Sequence, residues 1–390
     1  MKILFFDTEI SGHHLEYIFH FVRYIALNKR EGSFYFIVHP EFHLHSKDIL
    51  KGIDIPPQTI IHFIAVTEQE YKSINTKNLF INSIKAYQLL VKYAKPIEPQ
   101  RVFLLSLNTF ILALITNKLK YKTSGILFAQ FTRMQQTTIA DKLKYYRKYW
   151  QTKLLSKQKQ IDSLFILNDL KTCEHLNKTF NTEKFKMLPD PIQEIESTNE
   201  YDIRSEYAIE KQRKIYLHFG ALAERKGTID ILDSIAYIEN KLQPNICFMF
   251  AGKPDSSIVE LLQEKITHYQ NNSKVQIIYI NKFIENKKMK ALFDQCDFVL
   301  IPYKNVESSS GLLGHAALSK KPVIGSPQGL LGDLISSYHL GYLIKDNTPK
   351  SIADKIHETY NAVYIVNNNN YLRGRNPNDF CNIVFQRLTE

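Results

Sequence analysis

Short, wholly apolar runs separated by helix-length segments constrain this chain more than any other feature. Residues 2–7 read as a strand that ends at polar residues, and the loop Ser11-Gly12-His13-His14 follows. Leu15, Ile18, Phe19, Phe21, Val22 and Ile25 then recur at helical spacing. The strand, loop and helix pattern continues through apolar runs at 34–38, 60–64, 102–107, 125–128 and 163–167. Runs without a polar face belong to strands covered on both sides, and their alternation with helices predicts a parallel, doubly wound sheet.

Leu188-Pro189-Asp190-Pro191 interrupts this series, and the polar, charged stretch after it reads as a linker to about Lys211. A second series begins at 215–219 (IYLHF) and continues at 246–251, 275–280, 298–301, 322–325 and 341–344. The expected organisation is therefore α/β, with one domain over 1–190, a linker over 191–211 and a second domain over 212–368. Residues 369–390 are expected to form a helical segment able to pack on either domain. A length of 390 residues suits two cores.

The N-terminal apolar stretch meets Asp7 too early for a secretory signal, and the run 103–115 carries Ser106, Asn108 and Thr109 and is too short to span a bilayer. Cys173, Cys247, Cys296 and Cys381 are scattered without metal or disulfide spacing. Together these favour a cytoplasmic protein. The formal net charge of +11 is concentrated: residues 117–160 carry eleven Lys or Arg against Asp141 alone. Within that stretch, Leu143, Tyr145, Tyr146, Tyr149, Trp150, Leu154 and Leu155 interleave with the cations, a composition suited to lying on an anionic membrane surface. Nothing else in the chain reads as a base-reading module, so no nucleic-acid partner is expected.

Ligands of doubly wound sheets bind beyond the carboxyl ends of the strands. After the first strand of the second series, Gly220 is followed by Arg225-Lys226-Gly227 at the start of a helix expected over 228–238, a pairing of cations and free N–H groups suited to a diphosphate. Gly252-Lys253 follows the next strand and offers close backbone approach and charge. The fourth strand leads to Glu307-Ser308-Ser309-Ser310-Gly311 and an apolar helix, where hydroxyls and N–H groups meet an anion and Glu307 can accept from sugar hydroxyls. The trio His39, His43 and His45 reads as polar surface rather than a metal site. No GxGxxG follows the first strand, and no GxxxxGK[ST] occurs, which argues against a nicotinamide dehydrogenase and a P-loop nucleotidase.

The segments HFGALAERKGTIDIL, FMFAGKP, MKALFDQCDFVLIPY, ESSSGLLGHAALSKKPVIGS and GLLGDLI, in this order, resemble the C-terminal domain of the glycosyltransferase group 1 family. FFDTEISGHHLEYI and KMLPDPI resemble its N-terminal half more loosely. The resemblance implies a GT-B fold, two Rossmann-like domains facing each other across a cleft. It also implies a retaining transferase that uses a nucleotide sugar, UDP-linked in expectation, with neither metal nor cofactor. Arg225 and Lys226 would hold the donor diphosphate, Glu307 would contact the transferred sugar, and Ser309 to Leu312 would offer backbone N–H groups to the phosphates. Gly12 and His13 would line the cleft from the other domain, with His13 among the catalytic residues. Gly220, Lys253, Phe283, Ser308, Ser309, Ser310, Gly311, Leu312 and His315 complete the donor-binding set. His315 stands where the family commonly has a second glutamate that binds the ribose. The implied acceptor is a glycan or lipid-linked acceptor of bacterial surface polysaccharide assembly. Alternatives are a sugar-nucleotide epimerase of the same fold or a non-catalytic sugar-nucleotide-binding homologue.

Overall fold

The computed structural model describes residues 1–10, 13–46, 49, 51–128, 131–196, 200–304, 311–366 and 368–389. They form two compact units, Met1–Pro191 with Pro377–Glu390, and Ile192–Asn376.

The first unit is built on β1 (Lys2–Phe6), β2 (Gly32–Val38), β3 (Thr59–Ala65), β4 (Arg101–Leu104), β5 (Lys122–Ile126), β6 (Ile161–Leu167) and β7 (Phe185–Leu188). The order across the sheet is β3-β2-β1-β4-β5-β6-β7, and every pairing is parallel. The second unit repeats the plan with β8 (Lys214–Phe219), β9 (Ile246–Ala251), β10 (Gln276–Ile280), β11 (Phe298–Ile301), β12 (Val323–Gly325) and β13 (Gly341–Leu343), in the order β10-β9-β8-β11-β12-β13. In both sheets the strand order reverses beside the first strand, between β1 and β4 and between β8 and β11. Each is covered on both faces by buried aliphatic and aromatic side chains, which is why its strands carry no polar face.

Six helices matter below: α1 (His14–Leu27), α2 (Leu79–Ile97), α3 (Ile139–Ser156), α4 (Thr228–Asp233), α5 (Gly311–Leu318) and α6 (Pro377–Thr389). In α6, Phe380, Cys381, Val384, Phe385 and Leu388 fall on one stripe and bury against Phe5, Phe21 and Phe34 of the first unit.

Several boundaries differ from the sequence expectations. The fourth strand ends at Leu104, because Leu107–Phe110 winds into a 3-10 turn. Strand β7, only four residues with two of them half-exposed, carries too weak a pattern to be read as a strand. The described residues of 192–211 belong to the second unit rather than forming a free linker. Ile192, Ile203 and Ile209 are buried there, and the Ile192 amide donates to the Arg375 carbonyl at 2.7 Å. Three isolated isoleucines in a polar stretch make no periodic signal, yet each fills a core position.

Helix α3 shows which of its rings face solvent. Tyr145 and Tyr149 turn inward and meet Phe131 edge-on at 5.3 and 5.7 Å, so they are core rings and not the interfacial anchors that their spacing suggested. Ile139, Leu143, Tyr146, Trp150 and Leu154 remain exposed. At about 100° per residue they fall within roughly 80° of the helix circumference. Lys153 lies over the Trp150 ring at 4.7 Å. Among the described residues no helix is long and apolar enough to cross a membrane.

Candidate functional site

The carboxyl ends of β8, β9 and β10 are stitched together by backbone hydrogen bonds. The Gly220 amide donates to Ala251 O at 2.9 Å, and the Gly252 amide to Ile280 O at 3.0 Å. Gly252 has φ +143°, and a Cβ there would lie 2.0 Å from Gly220 O, so only glycine allows this approach. Leu222 donates to Lys253 O at 2.9 Å, and Asp255 donates to Leu222 O at 2.7 Å. The backbone at Lys253 thus braces the 220–227 loop, while its side chain is exposed.

That loop closes in a 3-10 turn, Glu224–Lys226, ahead of Gly227 at φ +74°. A side chain at Gly227 would strike Pro302 O at 2.6 Å. The helix beyond it is shorter than expected: α4 ends at Asp233 and tightens into a 3-10 segment, Ser234–Tyr237. The loop is pinned from beneath by His218 and Thr228, both buried. Nδ1 of His218 lies 3.0 Å from the Leu300 carbonyl, an acceptor, and so carries the proton; Nε2 lies 2.9 Å from Thr228 Oγ1. Thr228 Oγ1 also accepts from the Ala223 amide at 3.0 Å. Burial, with the Lys226 ammonium as a further cause, lowers His218 to about 4, which keeps it neutral.

Lys226 is the side chain this scaffold presents. A methyl group at Gly220 would stand 3.2 Å from Lys226 Nζ and 4.0 Å from Leu312 Cδ1, so both border the space that Gly220 leaves open. The ammonium lies 5.5 Å from the centroid of the buried Tyr303 ring. Burial, then the adjacent Arg225 guanidinium, brings Lys226 down to about 8. No carboxylate pairs with it among the described residues. The second cation, Arg225, is exposed, and its carbonyl accepts from the Lys304 amide at 2.9 Å, tying this loop to the one after β11.

The structure therefore brings Gly220, Arg225, Lys226 and Leu312 together at the point where the sheet reverses, with Lys253 on the adjoining loop. Gly311 opens α5, and His315 lies one turn further on, its ring 5.8 Å from Phe293. Phe283, on the loop after β10, is 80% exposed. Glu307, Ser308, Ser309 and Ser310 lie outside the described residues, as does Gly12. Sequence reading missed His218 and Thr228; a histidine inside an otherwise apolar strand was the available signal.

The first unit has its own cluster at the end of β1. His14 Nδ1 meets the buried Asp7 Oδ2 at 2.7 Å, and the Glu9 amide donates to Asp7 Oδ1 at 3.1 Å. Burial alone would lower His14, but the Asp7 hydrogen bond and charge outweigh it, and His14 is raised. Burial, then the Asp7 charge, raises Glu9. His13, the residue singled out in the sequence, stands 3.6 Å from Glu16, whose hydrogen bond raises it. Tyr17 donates to Asp190 at 2.5 Å. His14, not His13, is the better-held imidazole of this loop. Of the histidine trio, His39 is buried, with Nδ1 accepting from the Glu41 amide at 3.0 Å.

Two doubly wound units, one bearing a glycine-turned cationic loop at its switch point, define the chain as an α/β protein of GT-B fold. Residues 199–362 match the family model described as glycosyl transferases group 1. Among solved structures, the α,α-trehalose-phosphate synthase (UDP-forming) of Burkholderia xenovorans is similar at TM-score 0.68 and 12% identity, with 100% of each chain covered. HepE of Anabaena, solved with UDP, is similar at TM-score 0.68 and 13% identity, again with 100% of each chain covered. WaaG, a glycosyltransferase involved in lipopolysaccharide biosynthesis, is similar at TM-score 0.60 and 15% identity, with 98% of this chain and 95% of that one covered. No curated protein matches the sequence.

Proposed function

We propose that this chain transfers a sugar from a nucleotide sugar, UDP-linked, to a glycan or lipid-linked acceptor in bacterial surface polysaccharide assembly, with retention of configuration and without a metal. The observation that carries the proposal is Lys226: a half-buried ammonium with a lowered pKa, no described acid partner, and open space over Gly220 in front of it. A cation held in this state gains most from a diphosphate. Arg225 beside it and the amide end of α5 opposite complete an anion site in which the charge developing on the leaving diphosphate is stabilised by fixed groups. Glu307 is assigned to the sugar hydroxyls on the sequence resemblance, and His315 to the ribose. The UDP preference draws support from HepE, solved with UDP, and from the UDP-forming synthase.

The exposed stripe of α3, flanked by Lys142, Arg147 and Lys153, supports contact with an anionic membrane surface on the cytoplasmic side. The test is thermal-shift screening of nucleotides and nucleotide sugars, followed by transfer assays. A Tm rise with UDP or a UDP-sugar and product on an added acceptor is expected. No rise with any nucleotide would overturn the reading. Binding with epimerised sugar as the product, or with no turnover on any acceptor, would replace it by the epimerase or the binding-homologue reading, the latter favoured by His315 in the glutamate position.

A further inference from the structure

On the first unit, the start of α2 and the length of α3 enclose a groove of about 1060 Å³, just above the roughly 300–1,000 Å³ of small-molecule sites. Its floor and walls are largely apolar: Leu79, Phe80, Leu112 and Phe128 line it. Leu79 and Phe80 are 70% and 57% exposed. The first turn of a helix capped by Asn78, which accepts from the Phe80 and Ile81 amides, has no structural need for two such side chains in water. The charged residues lining the groove are Lys77, Arg147 and Lys148, and no Asp or Glu is among them. Arg147 has no ion pair among the described residues. The groove face of α3 adjoins its outward apolar stripe, so the same helix offers cations to the groove and apolar side chains to solvent.

We propose that this groove binds a single-chain amphiphile with a phosphate head, the alkyl chain lying over Leu79, Phe80, Leu112 and Phe128 and the phosphate on Arg147 and Lys148. The planar guanidinium matches a phosphate edge and the neighbouring ammonium adds a point charge, which together balance a dianion. Burying the chain removes Leu79 and Phe80 from water along with it. The site lies wholly in the first unit and does not rest on the transferase reading.

Calorimetry of the full chain with dodecyl phosphate below its micelle concentration tests this, without any nucleotide, alongside dodecanol, inorganic phosphate and a dodecyl ammonium. Dodecyl phosphate is expected to bind at least about tenfold tighter than dodecanol and the ammonium, as one charge-assisted contact supplies, and at least about tenfold tighter than inorganic phosphate, as burial of the alkyl chain supplies. Arg147→Gln is expected to weaken it by about 10-fold or more, Phe80→Ser to weaken it also, and Trp150→Ser, on the outward stripe, to leave it unchanged. All three positions are exposed, so the fold is retained. Equal binding of the ammonium, no binding of dodecyl phosphate, or equal loss in Trp150→Ser would overturn the proposal and leave the donor site untouched.

Discussion

The two units share a strand order but differ in what stands at the end of the first strand. In the first unit Phe6 is followed by Asp7, Thr8 and Glu9, and a histidine is held on the buried carboxylate. In the second, Phe219 is followed by Gly220, whose missing side chain opens a space bordered by an ammonium. One strand end is built around proton-bearing groups and the other around an open space beside a cation. The architecture supplies the position, and one residue after the strand decides which chemistry occupies it.

The largest expected effect removes the glycine approach at the carboxyl ends of β8 and β9. Gly252→Ala should cost about 2 to 4 kcal/mol, from the unfavourable φ and the clash with Gly220 O combined. A urea midpoint unchanged from wild type would show that the loops can part freely. Next, Lys226→Ala should weaken UDP binding by about 10- to 100-fold, as expected for a charge-assisted contact to phosphate. Calorimetry giving equal affinities would take Lys226 out of the site.

The pH dependence sharpens the contrast. With Lys226 at about 8 in the free protein, UDP affinity should hold below that pH and fall as pH rises through it, because a bound diphosphate retains the proton that the free site loses. Lys226→Arg should abolish the fall, since guanidinium stays charged. In the first unit the pH dependence is one of stability. His14 is raised on folding, so its contribution is fully present below its unfolded value of 6.5 and is lost as pH rises through the folded value. Asp7→Asn should lower the His14 midpoint followed by NMR and flatten that part of the stability profile. An unmoved midpoint would mean that Asp7 does not hold the imidazole.

The smallest effect concerns α3. Each cation near an anionic surface adds about 1 kcal/mol, so vesicle binding should need anionic lipid and weaken with salt. Trp150→Ser or Tyr146→Ser should reduce it further, whereas Tyr149→Phe, which keeps the inward ring, should not. Reduction by Tyr149→Phe alone would reverse the assignment of the helix faces.

Most strands were legible because burial on both faces leaves continuous apolar runs, and Gly220, Arg225 and Lys226 because glycine and charge between such runs have few other uses. What escaped was whatever depends on partners distant in sequence. The role of His218 requires Leu300, and that of His14 requires Asp7 at the strand end. The inward turn of Tyr145 and Tyr149 depends on Phe131 and, for Tyr149, Phe180. Residues 192–211 read as a tether because Ile203 and Ile209 find their core only after the second sheet exists.

Helix α6 sets an order of events during synthesis. The second unit is complete once residue 376 has left the ribosome, but the first still lacks Phe380, Val384 and Phe385, and with them the cover over Phe5, Phe21 and Phe34. The half of the chain made first therefore finishes last. Until the turns of α6 emerge, a nascent molecule carries an aromatic face for chaperones to shield, and a message cut short within α6 yields a protein with an intact second unit and an unsealed first unit.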